Sequence, residues 1–190
     1  MSQQQLLSLV AKRLNELEIR CMLTGSMASS LQGVPRSTHD VDLLVEMNLS
    51  QVDRLASQFP GPDFYLSLPA MKEAIQKKRM FNLLDLVGGD KVDFWLLTDD
   101  AFDQTRFRRR LPTTIAGTII DVSTPEDTIL MKLKWANDSG GSEKQFHDAL
   151  CVYELQAPRL DLSYVESWLK PLQITNLWKR LLTEAEPTTE

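Results

Sequence analysis

The chain has 190 residues, 43% of them apolar and 25% charged, the balance of an ordinary globular protein with one domain or one domain and a small appendage. Its 21 Lys and Arg against 26 Asp and Glu leave a net charge of −5, which excludes a globally basic nucleic-acid binder while allowing a local basic patch. No apolar run reaches the ~18 residues of a membrane span, and the polar start Met1-Ser2-Gln3-Gln4-Gln5 lacks the basic segment of a signal peptide.

Leu6, Leu7, Val10, Leu14 and Leu17 recur at helical spacing and predict an amphipathic helix over 3–18. Arg20 to Thr24 is a short apolar run that stops at Gly25-Ser26, as a buried strand does, and a helix over 26–32 can follow, closed by Gly33 and Pro35. His39 to Met47 is dense in aliphatic and β-branched residues and predicts a second strand. Ser50 is placed to cap a helix carrying Val52, Leu55, Ala56 and Phe59. Ser67, ahead of Pro69, is placed to cap another through Met71, Ala74 and Ile75. Two apolar runs, Phe81–Val87 and Lys91–Leu97, flank Gly88-Gly89-Asp90 and predict a β-hairpin.

One more strand is expected over Ile115–Val122. Thr124-Pro125-Glu126-Asp127 then reads as a helix start, with a cap residue, a first-turn proline and two acids at the positive end of the dipole. Helical spacing returns at Phe146, Ala149, Leu150 and Tyr153, and again around Trp168, Leu169 and Leu172. The expected architecture is a mixed α/β (α+β) core over 1–122, a helical C-terminal extension packed on it over 123–183, and a flexible polar tail over 184–190. Only Cys21 and Cys151 occur, without a CxxC spacing, so buried free thiols in a reducing cytoplasm are expected.

Three acids carry the chemistry. Asp40 and Asp42, one residue apart on a strand, point to the same face. Asp93 opens the second arm of the hairpin. Carboxylates crowded on a mainly buried strand repel and lose solvation, and a divalent cation with oxygen ligands removes that cost. Gly25-Ser26 at a strand-to-helix turn offers close backbone approach and free N–H groups to phosphate. A DxD pair alone is more often an exposed edge, and a Gly-Ser turn alone is only a turn; their ordered combination is what points to a site.

That order, Gly25-Ser26, thirteen residues, Asp40-Val41-Asp42, then Asp93 on a later strand, resembles the polymerase-β-type nucleotidyltransferase superfamily. LTGSMASSLQGVPRSTHDVDLLVE, FNLLDLVGGDKVDFWLL, STPEDTILMKLKW and SEKQFHDAL are similar to blocks of small bacterial nucleotidyltransferase-like proteins related to abortive-infection (AbiEii-like) toxins, over roughly residues 8–155. The resemblance implies the nucleotidyltransferase fold, a mixed sheet flanked by helices. It implies that Asp40, Asp42 and Asp93 bind Mg²⁺, or Mn²⁺ in its place, and that Asp93 helps deprotonate an acceptor hydroxyl attacking the α-phosphorus of an NTP. Gly25 and Ser26 would face the phosphates, and pyrophosphate would leave. The acceptor, whether RNA, protein or small molecule, is not implied, nor is the base. The alternative is a catalytically silent nucleotide-binding or toxin–antitoxin partner on the same fold. Oligomeric state is open.

Other candidates have plain readings beside the functional one. Arg36, with Thr38 ahead of the DxD strand, is a phosphate candidate or a solvated loop cation. Lys132 flanks the Ile129-Leu130-Leu133-Ala136 stripe and is either a phosphate contact or a lysine whose stem covers the core edge. Lys144 and Asp148, four apart, read as a solvated ion pair; the resemblance makes Asp148 part of a cleft wall. Arg106, Arg108, Arg109 and Arg110 form the dense basic run, read as a solvated loop face more readily than an RNA contact. His39 and His147 lack partners at zinc-ligand spacing. The four tryptophans are expected in core or interface.

Overall fold

The computed structural model describes residues 1–38 and 40–186, and within them seven strands form one mixed sheet. The strands are β1 (Arg20–Thr24), β2 (Asp40–Glu46), β3 (Phe64–Leu66), β4 (Met80–Asp85), β5 (Lys91–Leu96), β6 (Leu111–Ile115) and β7 (Thr118–Val122). Their order is β3-β4-β5-β2-β1-β7-β6, with β2/β5 and β1/β7 parallel and the other neighbours antiparallel. The helices are α1 (Gln3–Glu16), α2 (Gly25–Gln32), α3 (Val52–Ser57), α4 (Leu68–Lys77), α5 (Ala101–Arg109), α6 (Pro125–Asp138), α7 (Glu143–Gln156), α8 (Leu162–Leu169) and α9 (Thr175–Glu184). The expectation for His39 and the end of the expected tail, 187–190, lie outside the described residues.

The chain divides into two compact units, one of residues 1–24 with 38–122, the other of residues 25–37 with 123 onward. The first contains the whole sheet. Strand alternation gives this sheet one mainly apolar face, with Val41, Leu43, Val45, Val92, Phe94, Phe81 and Leu83 buried. Phe81 and Phe94, opposite each other on β4 and β5, stack with centroids 4.8 Å apart. α1 packs on β1 and β7 through Leu6, Leu7, Val10 and Leu14, and α4 packs on β4. On the other face, Met22, Leu44, Leu97 and Phe107 form a smaller cluster against which Trp95 packs. That face becomes polar toward the start of β2 and β5.

The β4–β5 hairpin forms as expected, and its turn shows why glycine is needed. Asp85 Oδ1 accepts from the backbone N–H groups of Val87 and Gly88, at 3.0 and 2.9 Å. A Cβ on Gly88 would lie 2.4 Å from Asp85 Oδ2, and Gly89 has φ +78°.

The second unit holds α2, α6, α7, α8 and α9. α6 starts as expected, with Thr124 Oγ1 accepting from Asp127 N–H at 3.2 Å ahead of Pro125. Its core comprises Ile129, Leu130, Leu133, Ala136, Phe146, Ala149, Val152, Trp178 and Leu181. Gly33 lets α2 approach α7 closely, since a Cβ there would lie 3.0 Å from both Ser29 O and Val152 N.

Several boundaries differ from expectation. α1 ends at Glu16, because Glu18 turns the chain with φ +57°. Asn48, not Ser50, is the cap: its side chain accepts from Ser50 N–H at 3.0 Å and starts a short 3₁₀ turn before α3. The expected strand over 115–122 is the turn and second arm of a hairpin whose first arm, β6, starts at Leu111; the chain folds back at Ala116 and Gly117, both at positive φ. The C-terminal helical stretch is two helices, separated at Gln173 with φ +59°. β3 had no expectation at all, and the end of α5 was expected as a loop. Among the described residues no helix is long and apolar enough to cross a membrane.

Candidate functional site

The sequence-predicted site residues fall into two clusters, one in each unit. In the sheet unit, the parallel register of β2 and β5 pairs Asp40 with Lys91 and Asp42 with Asp93. Residues paired this way share a face, so three carboxylates and one ammonium stand together. Asp93 is buried, 6% exposed, while Asp40 is exposed and Asp42 half-buried.

Each carboxylate has a partner within the protein. Lys91 Nζ lies 2.8 Å from Asp93 Oδ2 and 3.5 Å from Asp40 Oδ1. The hydrogen bond to Asp93 is the largest cause raising the Lys91 pKa, against an opposing desolvation. Trp95 Nε1 donates to Asp42 Oδ1 at 3.1 Å. Asp93 Oδ1, in contrast, is buried without a hydrogen-bond partner. A buried carboxylate oxygen without a donor is costly, and a cation ligand position is one arrangement that explains it. With these side-chain positions, no group of three or more His, Cys, Asp or Glu among the described residues converges as a metal-ligand set. The donor chemistry, all oxygen and anionic, nevertheless fits a hard divalent cation.

In the helical unit, Gly25 opens α2 at φ +66°, a conformation that favours glycine. Ser26 follows it in the first turn. Arg36 donates to Asp148 through a fork, Nε to Oδ1 at 2.8 Å and Nη2 to Oδ2 at 2.7 Å, and Nη2 also donates to Ser26 Oγ at 2.7 Å. Lys132 Nζ reaches the same Oδ2 at 2.7 Å, Gln145 Oε1 at 2.9 Å and Ser26 Oγ at 3.3 Å. Burial by itself would raise the Asp148 pKa; the hydrogen bonds from Arg36 and then Lys132 outweigh it and hold the carboxyl below the usual range. Ser26 Oγ therefore sits between two cations that share the Asp148 carboxylate.

These positions correct several plain readings. Lys132 is buried, so it does not lie along the core edge with a solvated head. Asp148 is buried and pairs with Arg36 and Lys132, not in a solvated pair with Lys144, which is exposed. The run 106–110 is not a solvated loop: it closes α5 and leads into β6. Arg106 is buried with its Nε 2.8 Å from Asp103, and Arg110 pairs with Asp121 at 2.8 Å and stacks on Phe107. Both cysteines are free; Cys151 is buried, and His147 Nε2 stands 3.4 Å from its sulfur.

Three neighbours of the candidate site carried no site expectation from sequence: Lys91, Gln145 and Trp95, the last expected only in core or interface. Lys91 and Trp95 sit two residues either side of Asp93, so strand alternation around that acid was a usable signal.

The fold is shared with nucleotidyltransferase-like proteins. ANT(2")-Ia, in a crystal structure with adenylyl-2"-tobramycin, matches with a TM-score of 0.59 at 14% identity, covering 91% of this chain and 98% of that one. An antigenic nucleotidyltransferase-like protein from Paracoccidioides brasiliensis matches with a TM-score of 0.55 at 17% identity, covering 97% and 94%. JHP933 from Helicobacter pylori matches at 0.50 and 17% identity, covering 97% and 79%. At these identities the likeness is one of fold. No protein-family model matches the sequence, and no curated protein does.

Proposed function

We propose that this chain is a nucleotidyltransferase that moves an NMP unit from an NTP to a hydroxyl acceptor and releases pyrophosphate. The observation that carries the reading is the register that sets Asp42 beside Asp93, with Asp40 and Asp42 one residue apart on the same face. The shared fold supports it.

Asp40, Asp42 and Asp93 are the residues that would hold Mg²⁺ or Mn²⁺, and the unpartnered Oδ1 of Asp93 is the acceptor that the protein's own donors do not satisfy. Bound there, a divalent cation would offset phosphate charge and lower the pKa of a hydroxyl. Asp93 accepts the proton of the acceptor hydroxyl. The acceptor oxygen then forms its bond to the α-phosphorus as the bond from that phosphorus to the β-phosphate bridging oxygen breaks. In the helical unit, Arg36, Lys132, Ser26 and the backbone at Gly25 bind phosphate oxygens. Asp148 keeps the two cations ordered when no anion is bound.

The adenylylated tobramycin in the ANT(2")-Ia structure makes hydroxylated small molecules the first acceptor class to test, ahead of RNA and protein. The likeness to abortive-infection toxins rests on the sequence blocks alone. A catalytically silent nucleotide-binding partner is the second reading. It is favoured by Lys91, which sets one positive charge between Asp40 and Asp93 without any metal. The test is pyrophosphate release with each of the four NTPs, Mg²⁺ and panels of the three acceptor classes. Release by wild type and none by Asp42→Asn supports the enzyme; no release with any combination favours the silent partner.

A further inference from the structure

Lys91 belongs to no part of the chemistry above, yet it touches two of the three carboxylates. It lies on the same face of β5 as Asp93 and directly opposite Asp40 on β2. Its ammonium reaches Asp93 Oδ2 at 2.8 Å and Asp40 Oδ1 at 3.5 Å. The two ends of this bridge differ: the Asp93 side chain is 9% exposed, whereas Lys91 is 33% exposed and Asp40 is 54% exposed. The lysine thus has a buried anchor and an open path to solvent along its flexible stem.

We propose that Lys91 is a resident counter-ion that holds the carboxylate cluster together in the metal-free protein and is displaced into solvent when a divalent cation binds. The inference rests on the metal reading above. Three carboxylates stand on one sheet face and repel one another, and the Lys91 ammonium supplies a positive charge among them. It supplies it incompletely. A single ammonium serves one oxygen of Asp93 and leaves the buried Oδ1 without a donor. A divalent cation takes several oxygens at short range and carries twice the charge, so it can satisfy what Lys91 leaves unmet. The ammonium and the metal cannot both lie against Asp93 Oδ2, because like charges so close repel strongly in a half-buried site. Metal affinity is therefore set partly by what it costs to release Lys91.

The test uses Mn²⁺ without nucleotide as the probe, with binding followed by electron paramagnetic resonance in wild type and in Lys91→Met. Removing the competing charge should tighten Mn²⁺ binding by about tenfold or more. A second measurement needs no variant: trace acylation of wild type by acetic anhydride, read by peptide mass against the exposed Lys12 and Lys72. Saturating Mg²⁺ should raise the relative reactivity of Lys91 several-fold, because its ammonium is released. If wild type binds Mn²⁺ and Lys91→Met binds it equally or more weakly, the counter-ion role is overturned and the metal reading stands. If neither protein binds Mn²⁺, the metal reading falls and the inference with it. Should Lys91→Met fail to fold, acylation decides alone, and a reactivity unchanged by Mg²⁺ overturns the proposal.

Discussion

Arg36 and Asp148 form a bidentate ion pair across 112 residues of sequence, closing at 2.8 and 2.7 Å. Lys132 shares the same carboxylate at 2.7 Å, and its side chain is 5% exposed. Removing the acid takes the shared, buried carboxylate away from both cations. Asp148→Ala should therefore cost roughly 3 kcal/mol, the scale for breaking a buried pair by deleting one partner. Urea denaturation measures it, and a loss below about 1 kcal/mol would show that the two cations find other compensation.

The same network carries a pH dependence. The Asp148 pKa is depressed in the folded protein relative to the ordinary aspartate value of 3.8. The unfolded chain binds this proton first as pH falls, so the contribution is fully present above 3.8 and is lost as pH drops through the lower folded value. Wild type should lose stability on acidification below that point more steeply than Asp148→Asn. Parallel stability–pH curves for the two proteins would contradict the assignment.

Trp95 donates its indole N–H to Asp42 at 3.1 Å while its ring packs against the Met22–Leu44–Leu97–Phe107 cluster. Trp95→Phe keeps most of the packing and removes the donor. Mg²⁺-dependent turnover should fall on the order of tenfold, equivalent to about 1.4 kcal/mol, with the melting temperature nearly unchanged. Activity lost only in step with stability would mean that the tryptophan acts through packing alone.

Burial, with a smaller contribution from Asp121, pushes the Cys21 thiol up to about 12. At pH 8 this keeps the thiol protonated, and the thiolate is the reactive form. Cys151 is also raised, by burial first and then by nearby acids. Native protein should resist iodoacetamide for hours, whereas protein in urea should take up two labels. Cys21 is half-buried, not fully buried as expected, and Cys151 is buried; rapid labelling of native protein at either position would show that the thiol is not held in its protonated form.

Much of the sheet was legible because its signals are local. A Gly-Gly turn between apolar runs announced the hairpin, and Thr124-Pro125 announced α6. The carboxylates were legible for the same reason, since Asp40 and Asp42 share a face of any strand. What escaped was set by tertiary partners. Asp148 reads as half of a surface pair with Lys144, because the sequence does not display the 112-residue closure that brings Arg36 to it. α5 was hidden because its arginines look solvated, whereas Arg106 is buried beside Asp103 and Arg110 lies on Phe107. The fold-back at Ala116-Gly117 was missed because both flanking strands are short and β6 has one buried residue, Ile115.

The most direct measurement is the thermal unfolding midpoint with each NTP, with and without Mg²⁺, for wild type and Asp93→Asn. Ligand binding only the native state adds roughly 2.7 kcal/mol at a hundredfold excess over Kd. The account predicts a Mg²⁺-dependent rise in wild type with at least one NTP and none in Asp93→Asn, which must fold in the absence of ligand. No rise with any NTP in wild type, or an equal rise in Asp93→Asn, would contradict it.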